Sequence, residues 1–100
     1  MTTYRRRKID VIIDVRSRVQ FLFGHIATAR CIPFDALERR IARVRGVGPE
    51  SSILVYCASG ARSKLAADLL RRLGYLKVTD GGTLRRMRIE AKPGGGLVFD

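Results

Sequence analysis

The chain has no tryptophan, one histidine, two cysteines and three prolines in its 100 residues. Each scarcity removes a class of protein. Two cysteines without a C-x-x-C pair form no disulfide framework. One histidine and two distant cysteines make a poor zinc site, so no metal and no cofactor are expected. No apolar run approaches the ~18 residues that cross a bilayer, and no membrane partner is expected. The opening MTTYRRRKIDVIIDV sets basic residues before apolar ones, as a secretory leader does. However, Asp10 and Asp14 interrupt the apolar stretch, and no small-residue cleavage site follows. A cytoplasmic protein is therefore expected, and in a reducing compartment a cysteine is free for chemistry.

Acidic residues are also scarce: nine stand against twenty basic ones, sixteen of them Arg, for a net charge of +11. Such an imbalance admits a nucleic-acid partner. The basic residues are spread along the chain, though, and only Arg5–Arg6–Arg7–Lys8 forms a run. No recognisable binding module accompanies them, so an arginine-biased composition is the favoured reading over nucleic-acid binding. Either way, a positive field draws small anionic substrates.

One hundred residues hold one domain and one core. The reading is a basic tail over 1–8, a domain over 9–90 and a Gly-rich tail over 91–100. Within the domain, short apolar runs alternate with helix-period segments. Ile9 to Val15 reads as a buried strand. Ser17 caps a short helix through Phe23 that Gly24 ends. An extended piece at Arg30 to Ile32 stops at Pro33, and Asp35 with Glu38 has the spacing of a capping box. Ile53 to Cys57 is a second strand. Ser63 to Leu73 is a helix with Leu65, Ala66, Leu69, Leu70 and Leu73 on its core face and an Asp68–Arg72 pair outside. Leu76 to Thr79 is a last strand, after which Gly81-Gly82 turns the chain into the basic segment Arg85 to Arg88. Alternation of this kind predicts an α/β fold whose mainly parallel sheet has helices on both faces. Ligands in such sheets lie beyond the carboxyl ends of the strands, here Asp14-Val15-Arg16 and Cys57.

The segment YCASGARSKLAADLL carries the main chemical signal. Cys57 ends an apolar strand, and Ala58, Ser59, Gly60, Ala61, Arg62 and Ser63 lead into a helix. Small side chains let backbone N–H groups point inward, and these donors with the positive helix end form an anion cradle. A sulfur held there is stabilised as the thiolate, and Arg62 adds a positive charge at the rim. Cys31 lies in an apolar piece before Pro33 with no cradle after it and reads as packing.

CASGARS after ILVY resembles the active-site loop of the rhodanese family. VIIDVRSRVQFLFGHI resembles that family's other signature, an Asp-Val-Arg strand end followed by Gly-His-Ile, and ARCIP and LGYLKV match as well. The likeness covers about Asp10 to Gly82, and the short lead is similar to the compact phage-shock protein E type. Gln20 stands where many relatives have Glu, and Thr28 where many have Gly. The resemblance implies a three-layer α/β/α rhodanese-like fold with about four to five short strands. It also implies a sulfurtransferase that carries sulfur as a persulfide on Cys57. The donor would be thiosulfate or a protein persulfide, and the acceptor a thiol or cyanide. Asp14 and Arg16 would support the loop, while His25 would be structural. The rival enzyme is a cysteine-dependent phosphatase or arsenate reductase, which has five residues between Cys and Arg where this chain has the four from Ala58 to Ala61. The other rivals are binding modules, for protein on the same fold or for nucleic acid through the arginines.

Overall fold

The computed structural model describes residues 1–100. In chain order the strands are β1 (Thr2–Tyr4), β2 (Arg7–Ile9), β3 (Val11–Asp14), β4 (Arg30–Cys31), β5 (Ser52–Cys57), β6 (Lys77–Thr83) and β7 (Leu97–Phe99). The helices are α1 (Arg18–Leu22), α2 (Leu37–Arg40, flanked by short 3-10 turns), α3 (Ala61–Arg72) and α4 (Leu84–Glu90). Four strands form a parallel sheet in the order β4–β3–β5–β6.

Its two central strands are apolar on both faces because both faces are covered. Val11, Ile13, Val55 and Cys57 pack with Leu37 and Ile41 and with Ala66, Ala67 and Leu70 of α3. Ile12, Leu54 and Tyr56 face the other way, onto Ile26 and Met87 of α4. The result is a three-layer α/β/α arrangement, as expected. Each fully buried Leu or Ile contributes about 1.5–3 kcal/mol, so the sheet centre is the most stable part of the chain. Register places Asp14 between Tyr56 on β5 and Cys31 on β4, which aligns three strand ends at one edge.

The local signals hold in part. Ser17 and Gln20 form a reciprocal capping box at α1. The Asp35–Glu38 box does not form: Asp35 lies inside a 3-10 turn, and no side chain caps α2. Helix α3 starts at Ala61, and its core face is Ser63, Ala66, Ala67 and Leu70. Leu65 and Leu73 are exposed. Asp68 pairs with Arg71 at 3.2 Å rather than with Arg72. Gly81-Gly82 does not end the last strand. The β5–β6 register shifts between Val55 and Tyr56, and the strand runs on to Thr83. A Cβ on Gly81 would stand 2.8 Å from Met87 Sδ and 3.1 Å from the Val55 carbonyl, so only glycine lets α4 sit this close to the sheet.

The segments read as tails carry strands instead. β1 pairs antiparallel with both β2 and β7. Tyr4, Ile9 and Leu97 are buried in the second core cluster, which offsets the ordering of these ends. Glu90 fastens them to α4: it accepts from Arg5 at 3.0 Å, from the Gly96 N–H at 3.1 Å and from the Tyr4 hydroxyl at 3.4 Å.

Candidate active site

Three residues, Ala58 to Gly60, carry the chain from β5 into α3. Gly60 has φ +90°, a left-handed conformation that residues with a Cβ resist. That turn aims the Gly60 N–H at Cys57 Sγ, 2.8 Å away, and the Ser63 N–H donates to the same sulfur at 3.3 Å. Ser63 is fully buried, and its hydroxyl donates to the Gly60 carbonyl at 2.9 Å, tying the loop to the first helical turn. The N–H groups of Ala58, Ser59, Ala61 and Arg62 have no acceptor within the protein. Of six consecutive N–H groups, two thus donate to one sulfur and four have no acceptor.

Asp14 and Arg16 stand behind this loop rather than in it. Both are buried. The Arg16 guanidinium grips the Asp14 carboxylate with Nε at 3.0 Å and Nη2 at 2.7 Å, and the Arg16 backbone N–H donates to Asp14 at 2.9 Å. Nη2 also donates to the Gly24 carbonyl at 2.6 Å, and the guanidinium lies 5.9 Å from the Tyr56 ring centre. The Tyr56 hydroxyl in turn accepts the Ile26 N–H at 3.1 Å. This network pins the strand residue next to Cys57. Hydrogen bonding to Asp14 raises the Arg16 pKa further, so Arg16 stays charged. His25 stacks on Phe21 and bonds its carbonyl at 2.9 Å, far from any reacting role.

Arg62 is exposed and in no ion pair. The cations that do line the approach to the loop include the basic segment Arg85 to Arg88, which the sequence does not place at the site. A groove of about 590 Å³ joins Ala58 and Arg16 to Leu84, Arg85, Arg88, Ile89 and Lys92. Gly24 leaves room for Arg88, whose Nη2 lies 2.6 Å from where a Cβ would be. The signal was present: Arg85, Arg88 and Lys92 recur at helical spacing, but Gly81-Gly82 suggested a turn and hid the helix. A more open cleft of about 660 Å³, lined by Asp10, Gly46, Glu50 and Ser51 among others, lies at the amino ends of the strands and includes no cysteine.

Cys31 is half-buried, and its thiol faces the Arg16 carbonyl at 3.9 Å. Burial, and then the Asp14 charge, push its pKa up.

Residues 3–84 match the family described as the Rhodanese-like domain. A provisionally named mitochondrial thiosulfate sulfurtransferase of Schizosaccharomyces pombe is 33% identical over 81 residues, 71% of this chain and 57% of that protein. The chain spans little more than half the length of the first curated relatives it matches. Among solved structures, a rhodanese with anions from E. coli superposes with a TM-score of 0.71 at 32% identity, covering 76% of this chain and 88% of the other. The human single-domain sulfurtransferase TSTD1 gives 0.70 at 26% identity, covering 82% and 83%. With the family match extending over most of its length and the parallel sheet shared, the chain belongs to the rhodanese-like domain family.

Proposed function

We propose that the chain is a sulfurtransferase of the compact, phage-shock protein E type, with Cys57 as its catalytic residue. The observation that carries this reading is the crowd of N–H donors about Cys57 Sγ, two engaged and four without an acceptor. In the first half-reaction the Cys57 thiolate attacks the outer sulfur of thiosulfate. A new S–S bond forms, the bond to the sulfonate sulfur breaks, and sulfite leaves with the electron pair. The terminal sulfur of the persulfide bears the negative charge, and loop donors from Ala58 to Ser63 surround it. Cyanide or a thiolate then takes that sulfur and restores the Cys57 thiolate. Preorganised donors of this kind contribute about 3 kcal/mol each to a barrier. Arg62, Arg85, Arg88 and Lys92 draw the anionic donor in, while Asp14 and Arg16 act as positioning residues. A protein persulfide is an alternative donor. The cytoplasm suits the chemistry, since a reducing compartment keeps Cys57 free. Only four residues separate Cys57 from Arg62, which favours a single sulfur over a phosphate with three further oxygens.

The test is intact mass after incubation with thiosulfate. The expected result is a gain of one sulfur on Cys57, removed by cyanide, with negligible hydrolysis of aryl phosphates. Cys57-dependent phosphatase turnover without a sulfur adduct would overturn the reading.

A further inference from the structure

The basic residues look scattered along the sequence, yet folding gathers five of them. Arg30 of β4 joins Arg39, Arg40, Arg43 and Arg45, from α2 and the turn after it, around one cleft of about 400 Å³. Cys31, Ile32 and Val44 complete its lining, and no carboxylate contributes. All five arginines are exposed, and none belongs to any of the chain's four ion pairs. The hydrogen bonds they donate within the protein go to carbonyl oxygens: Arg30 to Arg45 at 3.5 Å and Arg39 to Asp35 at 3.4 Å. Most of their donors are therefore open to a ligand.

Five like charges in one concavity repel each other until an anion enters. The guanidinium fork matches phosphate oxygens in pairs, so one phosphate occupies one or two arginines, and five call for several phosphates in succession. The lining includes no aromatic ring on which a base could stack, so contact is with the backbone and independent of base sequence. A flexible single strand can bend to set successive phosphates in so small a cleft, whereas a duplex, stiff over about 150 bp, cannot. We infer that this cleft binds the phosphate backbone of single-stranded nucleic acid, at a site separate from Cys57 and independent of sulfur transfer.

A fluorescein-labelled uridine dodecamer, followed by anisotropy on the full chain, tests this. Five phosphate contacts on a single strand give a log–log salt slope of about −3.5, so affinity should fall roughly 100-fold between 50 and 200 mM salt. Neutralising Arg39, Arg40 and Arg43 to Gln should flatten the slope by about 2. Changing Arg6, Arg7 and Lys8 to Gln removes the same charge from the one basic run and should leave most of the slope in place. In Cys57→Ser protein the dodecamer should also protect Cys31, which lines the cleft, from maleimide. Three results would overturn the inference: no binding at the lower salt, equal losses from the two triple variants, or displacement by deca-glutamate as effective as by unlabelled RNA.

Discussion

Cys57 and Cys31 end neighbouring parts of the same parallel sheet, with β3 between them, and they differ in almost every physical respect. Cys57 is the more deeply buried, at 2% exposure, yet two N–H dipoles point at its sulfur. Cys31 is more open, but its sulfur faces a carbonyl oxygen, and burial and Asp14 both disfavour its thiolate. Exposure and surroundings rank the two thiols in opposite orders. The sign of the backbone dipoles at each strand end separates them, and the next stretch of chain sets that sign. Beyond Cys57 a glycine-turned loop enters α3, whereas beyond Cys31 the chain meets Pro33 and a 3-10 turn.

Exchange of the two cysteines should break the comparison most sharply. Cys57→Ser should abolish persulfide formation from thiosulfate, while Cys31→Ser should keep it at near-native rate, both read by intact mass. Next in size is Gly60→Ala. The added Cβ meets Thr83 Cγ2 only at an ordinary 3.7 Å, so the strain comes from the left-handed backbone and not from a clash. Relaxing that strain swings an N–H away from Cys57, and transfer should slow by roughly 10- to 100-fold with the fold retained. Asp14→Asn strips the buried Arg16 of its counter-charge and should lower stability by about 3 kcal/mol in urea unfolding. The same change removes one of the two influences that raise the Cys31 pKa, so Cys31 alkylation should shift to lower pH. The smallest effect sharpens the contrast. In Cys57→Ser protein with Asp14 intact, the alkylation rate of Cys31 should rise with pH to a midpoint above the ordinary thiol value of 9.0.

The sheet centre and the Cys57 loop were legible because their signals are local. Val11–Asp14 and Ser52–Cys57 are apolar on both faces, and Gly60 with its small neighbours precedes a strongly periodic helix. The second sheet was illegible for the opposite reason. β1, β2 and β7 have three residues each, too few for a period, and Thr2 pairs with Phe99 across nearly the whole chain. Leu65 misled because a start two residues early, at Ala61, sets which face of α3 meets the sheet. The arginine cleft has no local signal because its members span Arg30 to Arg45 on β4, α2 and the turn after it, while the one visible run, Arg5 to Lys8, lies elsewhere.

A chain without tryptophan relies on tyrosine for its ultraviolet absorbance beyond the weak phenylalanine band, and one of its three tyrosines is Tyr56, the residue before Cys57. Tyr56 is wholly inaccessible, and burial pushes its hydroxyl well above the ordinary value of 10.0. In the unfolded chain that hydroxyl ionises first as pH rises. The stability it confers is therefore complete below about pH 10 and is lost above it. Burial delays tyrosinate absorbance from this ring in the folded chain, so an alkaline ultraviolet titration should contain a late component that follows the release of the strand bearing the proposed nucleophile. The molecule carries its own optical clock for the integrity of that strand, with no label attached.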